Sequence, residues 1–149
     1  MYLRAPPPVI GAVAALAMWA VADVRTAALA FPGQLAAALA LAATGAAIDV
    51  ASMIAFRRAR TTINPLRPDR TSALVVSGPF RFSRNPMYLG LACLLAGWAV
   101  WLGDPLNLLV LAAFVALVTA LQIVPEERAL ASKFGQAYAA YRARVRRWI

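Results

Sequence analysis

The sequence predicts an all-α integral membrane protein, with about four transmembrane helices followed by a C-terminal amphipathic cytoplasmic helix. Three observations carry that expectation. Of the 149 residues, 62% are hydrophobic and only 14% charged, against about a quarter charged in an ordinary soluble domain. The apolar residues form long runs and do not alternate with polar ones. The charges, fourteen Arg and one Lys against six acids for a net +9, gather beside those runs.

A chain this short reads as one membrane domain over 1–149. A basic excess can mark nucleic-acid binding. Here the arginines flank apolar runs, which fits the edges of membrane spans, so a lipid bilayer and no nucleic acid is the expected partner. The chain has no histidine. That excludes a histidine base, a histidine-ligated metal and a histidine-containing triad, and no metal is expected. The one cysteine, Cys93, has no partner for an internal disulfide and reads as inert packing.

The first span is expected over about 8–30. Prolines 6, 7 and 8 suit a helix start, where a missing amide costs little, and Phe31-Pro32-Gly33 turns the chain. One positive charge before an apolar run resembles a signal peptide, but without a convincing cleavage site it reads as a membrane helix. The second span, 34–56, contains Asp49. A carboxylate inside a span is costly and often functional; the plainer reading, favoured here, is that it lies near the interface and pairs with Arg57 or a neighbouring arginine.

Arg57 to Arg84 is polar, with seven arginines and with prolines 65, 68 and 79 to prevent a long helix. Leu74-Val75-Val76 is a short extended piece at most. The third span covers 87–102, Gly103-Asp104-Pro105 turns it tightly, and the fourth covers 106–124, so the two form a hairpin. From Glu126 onward Leu130, Phe134, Tyr138, Tyr141, Val145 and Trp148 recur at three- and four-residue steps, as on an amphipathic helix. Four spans put every Lys and Arg except Arg25 on one side, which the positive-inside preference makes cytoplasmic.

This topology brings Arg81–Tyr88 and Gln122–Arg128 to one membrane face. The Gly-Pro step at 78–79 and the Asn-Pro step at 85–86 leave backbone groups open to a polar ligand. Glu126 and Glu127 can accept hydrogen bonds from hydroxyls or amines. A plainer reading is equally open from spacing: glutamates favouring a helix N-terminus and arginines holding lipid phosphates. Tyr138 and Tyr141 read as helix packing, and Trp19, Trp98, Trp101 and Trp148 as interfacial or core aromatics.

The run Gly78-Pro-Phe-Arg-Phe-Ser-Arg-Asn-Pro-Met-Tyr-Leu-Gly90, followed after a hairpin by Glu126-Glu-Arg-Ala-Leu-Ala-Ser-Lys-Phe-Gly-Gln-Ala-Tyr-Ala-Ala-Tyr141, resembles the isoprenylcysteine carboxyl methyltransferase family. That family groups with membrane phospholipid methyltransferases, and the resemblance covers roughly residues 61 to 149. It implies a membrane enzyme that uses S-adenosylmethionine without a Rossmann sheet, and the chain has no Gly-x-Gly-x-x-Gly fingerprint. Carried over, it places the cofactor in segments 72–90 and 122–141, against Ser72, Ala73, Leu74, Val75, Phe80, Asn85, Pro86, Met87 and Tyr88. Glu126 closes the pocket, and Arg81 or Arg84 would hold the cofactor's carboxylate.

Two departures bear on the methyl acceptor. Asn85 stands where the prenylcysteine enzymes usually have His, and Gln122 stands where they tend to have an Arg that contacts the substrate carboxylate. The acceptor is therefore left as a lipophilic or small carboxylate, thiol or amine, with Gln122 as its expected contact. A membrane reductase using NADPH and a non-catalytic protein that binds anionic lipid are the alternatives.

Overall fold

The computed structural model describes residues 6–25, 29–60 and 73–149. Ser72, Arg67 and Arg70 lie outside the described residues. Helix α1 runs Pro7–Arg25 and α2 runs Gln34–Arg58. A short 3₁₀ turn, Gly78–Arg81, precedes α3, Pro86–Leu102. Helix α4, Asn107–Val118, passes through a π-helical turn, Thr119–Ile123, into α5, Val124–Arg144. No strand forms among the described residues, 74–76 included.

Helices α1, α2 and the run Asn107–Arg144 are long and apolar enough to cross a membrane, and α3 is a shorter apolar helix of 17 residues. At about 1.5 Å per residue α3 reaches roughly 25 Å, close to the thickness of the hydrocarbon layer. Val13, Leu16, Trp19, Leu35, Leu39, Leu108, Leu109 and Leu117 are all exposed. A water-soluble surface does not present aliphatic residues on this scale; a lipid-facing one does.

The helices are held together where side chains are smallest. A Cβ on Gly45 would lie 2.5 Å from the Gly90 carbonyl oxygen, and one on Gly97 would lie 2.7 Å from that of Ala38. Helices α2 and α3 thus touch backbone to backbone, the contact that replaces hydrophobic driving force inside lipid. Beside this seam Met18, Tyr88, Leu95, Ala99, Phe114, Val118 and Ile123 form the main apolar core.

At one end of the bundle Arg25 pairs with Asp104 at 3.0 Å, and Leu29 N–H donates to the Gly103 carbonyl at 2.9 Å. Gln34 Nε2 donates to the Val100 carbonyl at 2.8 Å. The one arginine set apart from the others is therefore neutralised by the hairpin turn. Gly103 has φ 72, so the turn requires a residue free to enter the left-handed region. The opposite, polar end gathers Arg57, Arg58, the 3₁₀ turn and the start of α5.

Four sequence expectations need correction. The first helix ends at Arg25 and residues 29–30 are not helical, so the span does not reach 30 as one helix. The amphipathic helix is not a separate element, because α4 continues into it. Pro125 would clash with a regular turn before it and offers no N–H; the wider π turn immediately upstream makes the room. Nor is that helix regular to its end: Gly135 (φ 50, ψ −121) interrupts it, and Val145 turns extended, so Val145 and Trp148 continue the half-buried stripe off the helix. Last, Asp49 makes no ion pair with Arg57. Eight residues of helix separate them by about 12 Å of rise, and Asp49 packs instead against Gly90, with Oδ1 buried and without a hydrogen-bond partner among the described residues.

Replacing Gly97 with Leu should separate α2 from α3 and destabilise the protein by about 1–3 kcal/mol. Exposed Leu35→Ala should stay within about 0.5 kcal/mol of the native protein. Denaturant melting in detergent measures both.

Candidate functional site

The polar end is organised by the way α3 begins. Pro86 occupies its first turn, where a missing amide is harmless, and Asn85 precedes it. One turn in, the Tyr88 ring belongs to the main core while its hydroxyl points out of that core. The hydroxyl donates to Glu126 Oε1 at 2.7 Å and lies 3.0 Å from Gln122 Oε1. A phenol has one proton. When Glu126 is ionised, Tyr88 donates to it; when Glu126 is protonated, the acid can donate to Tyr88 and Tyr88 to Gln122. The trio is a proton-sharing chain linking the start of α3, the π turn and the first turn of α5.

The adjacent glutamate does something different. Two successive helical residues point about 100° apart and cannot share a partner. Glu127 turns to Arg84, which reaches Oε1 from Nη2 at 2.8 Å and from Nε at 3.2 Å. Arg147 completes the cluster, Nη2 donating to Oε2 at 2.8 Å. The Arg84 and Glu127 side chains are 8% and 10% exposed. Burial pushes the Glu127 carboxyl up, but the hydrogen bonds from Arg147 and Arg84 and their charges outweigh it, so it stays below the usual carboxylate range.

Glu126 has neither cation. It forms no ion pair among the described residues, and nothing there donates to its Oε2. The uncharged stretch Asn107–Val124 ends before it. Burial pushes its carboxyl up to about 7, the Tyr88 hydrogen bond pulls the other way, and the Glu127 charge adds to the rise.

The remaining expected site residues fall into three groups. Val75 and Phe80 are buried against Ala55 of α2, with the Phe80 and Phe56 rings edge-to-face at 5.2 Å. Ala73, Leu74 and Met87 are half-buried. Asn85 and Arg84 face the segment after α5: Asn85 Nδ2 donates to the Arg147 carbonyl at 3.1 Å, and Arg84 Nη1 to that of Val145 at 3.0 Å. Arg84 is thus engaged on all sides, whereas Arg81 is exposed and has no partner among the described residues. Tyr141 is a packing residue as read from sequence, and its hydroxyl donates to the Phe80 carbonyl at 2.7 Å. Glu127 and Arg147 were not among the expected site residues. The signal for them was the Glu-Glu doublet itself, since one helix face cannot use both acids.

An apolar helical bundle whose polar end brings together a carboxylate, a phenol and an amide has the make-up of an integral membrane protein with a polar cluster at one end. The chain matches the phospholipid methyltransferase family over residues 33–137 and belongs to it. Its class of activity is therefore that of a membrane methyltransferase. The chain is also 43% identical over 63 residues to an uncharacterized protein of Haemophilus influenzae, a match that covers 42% of this chain and 100% of that protein. No solved structure matches.

Two outcomes test this geometry. Arg84→Ala strands Glu127 with one cation and should cost about 3 kcal/mol in denaturant melts. The Glu126 prediction concerns pH. Its carboxyl binds a proton more tightly in the fold, at about 7, than at its ordinary 4.5. Its contribution to stability is therefore full below the ordinary value and lost as pH rises through about 7. Glu126→Gln, which keeps a carbonyl for Tyr88, should melt progressively higher than the native protein as pH rises across that interval.

Proposed function

We propose that the chain is an S-adenosylmethionine-dependent methyltransferase acting on a lipophilic or small acceptor at the cytoplasmic membrane face. The observation that supports this most is the contrast between two neighbouring acids. In a chain of net charge +9, Glu127 has two arginines and Glu126 has none among the described residues. An uncompensated half-buried carboxylate suits a ligand that brings its own positive charge and its own hydrogen-bond donors.

The donor set fits this cofactor. Glu126 offers an amine or ribose hydroxyls one oxygen that no described residue occupies, and the exposed Arg81 offers a two-point grip for a carboxylate. Arg84 is committed to Glu127, so the carboxylate role falls to Arg81. Tyr88 fixes the orientation of Glu126 by its hydrogen bond. Ala73, Leu74, Met87 and the Phe80 neighbourhood supply the apolar wall that excludes water. When bound, S-adenosylmethionine supplies an electrophilic methyl group on a sulfonium. Positive charge on that sulfur disappears during transfer, so Glu126 contributes to binding and orientation more than to the transition state. Positioning and exclusion of water supply the acceleration.

Gln122 is buried and neutral, and it faces Tyr88. It offers a hydrogen bond but no charge, so a substrate carboxylate of the isoprenylcysteine type gains no ion pair there. A carboxylate, thiolate or free amine acceptor needs no strong base, in keeping with a chain without histidine. Orientation with the polar end toward the cytoplasm follows from the arginines clustered there.

Calorimetry on the detergent-solubilised protein tests the reading. S-adenosylhomocysteine should bind, and Glu126→Ala should weaken it by about tenfold or more. Membranes supplied with methyl-labelled S-adenosylmethionine should transfer label to an organic-soluble product. Binding of NADPH in place of S-adenosylhomocysteine would overturn the assignment.

A further inference from the structure

The five residues after α5 do not trail away from the bundle. Val145 leaves the helix in an extended conformation, and 145–149 lies across the start of α3. Arg84 N–H donates to the Arg146 carbonyl at 3.0 Å. Ser83 Oγ and Asn85 Nδ2 both donate to the Arg147 carbonyl, at 3.3 and 3.1 Å. Trp148 Nε1 donates to Thr119 Oγ1 in the π turn at 3.3 Å. Between these anchors the Arg147 side chain turns inward and takes Glu127 by both oxygens, from Nε at 3.2 Å and from Nη2 at 2.8 Å.

These contacts join three pieces that carry the trio. Residues 83–85 lead directly into Tyr88, the π turn holds Gln122, and Glu127 is the neighbour of Glu126. The Tyr88 hydroxyl bridges the trio itself, and a phenol's one proton cannot fix two helix ends. Glu127 gripped from both sides can. Arg84 comes from the α3 side and Arg147 from the segment that binds 83–85 and Thr119.

We propose that Arg147 is a positioning residue of the methyltransferase site: through Glu127 and the strap 145–149 it sets the first turn of α5 so that Glu126 meets Tyr88. This rests on the reading of Glu126 as the cofactor's acceptor. The Arg147 side chain is 35% exposed and its hydrogen bonds go to Glu127, so its effect on Glu126 is indirect. Its two-point geometry is also one that a lysine cannot reproduce.

The test combines a ligand-free readout with a ligand-binding one. The protein is labelled with 3-fluorotyrosine, and Tyr88→Phe identifies the Tyr88 fluorine resonance among four tyrosines. Arg147→Gln should move or broaden that resonance and weaken S-adenosylhomocysteine binding by about tenfold, the order of loss that follows a small misplacement of a site. Arg147→Lys should lie between that variant and the native protein. Arg144→Gln, at an exposed arginine in the last turn of α5, should change neither. An unmoved Tyr88 resonance in Arg147→Gln overturns the proposal, whatever its melting temperature does; so does an equal response in Arg144→Gln. If Arg147→Gln loses its helical signal, the same criterion is applied to Arg147→Lys. Failure of the native protein to bind S-adenosylhomocysteine overturns the cofactor assignment alone, and the fluorine resonance still decides the role of Arg147.

Discussion

A single carboxylate with two guanidiniums is the constraint on which the polar end depends. Glu127 is almost enclosed, and at such depth a charge survives only with close opposite charge and hydrogen bonds on its remaining lone pairs. Arg84 and Arg147 provide both, and they come from chain segments 63 residues apart, one before α3 and the other after α5. Satisfying one acid therefore closes the chain on itself. The ends of α3 and α5 have little freedom once that cluster forms, and the remaining polar groups of 83–85 find carbonyl partners in the same strap.

Tyr88 transmits this constraint into the apolar body. Its ring belongs to the core cluster that also contains Leu95, Phe114, Val118 and Ile123, and its hydroxyl is a member of the polar trio. Packing of α3 and geometry at Glu126 are thus coupled through one rigid side chain. The glycine seam with α2 sets the depth and rotation of α3, because backbone contacts at Gly45 and Gly97 allow no sliding without collision. Site geometry is in this sense a consequence of helix packing that begins within a turn of Tyr88, at Gly90, and continues along α3 to Gly97.

Much of the fold was legible because lipid imposes few choices. Long apolar runs punctuated by Pro32-Gly33 and Gly103-Asp104-Pro105 leave little besides antiparallel helices, and the meeting of the 78–90 and 122–141 segments follows from that topology. What sequence did not show was how polar groups are distributed among partners. Asp49 suggested Arg57 because both lie on one helix, yet the helical rise keeps them apart and the glycine opposite gives the carboxyl its space. Arg84 suggested a ligand contact because it stands in a motif, yet its buried neighbour Glu127 claims it first. The fate of Val145 and Trp148 was hidden for a similar reason. Apolar periodicity records which side chains are covered, and both are, but the stripe continues where the helix does not.

The division of labour between Glu126 and Glu127 follows from charge arithmetic at short range. Glu127 with Arg84 and Arg147 sums to one positive charge, and an ionised Glu126 brings the group to neutrality. Were the arginines placed around Glu126 instead, its carboxyl would be held fully ionised and already paired, with no preference left for a cationic ligand. Keeping them one residue away leaves Glu126 with a phenol as its only donor among the described residues and with burial opposing its charge. A cation arriving there relieves that penalty, whereas an anion meets a carboxylate. The same arrangement costs stability while the charge stands alone, as strained or uncompensated groups at functional sites generally do. Glu126, without a cation among the described residues, therefore adds little to holding the polar end together, which is the part Glu127 plays.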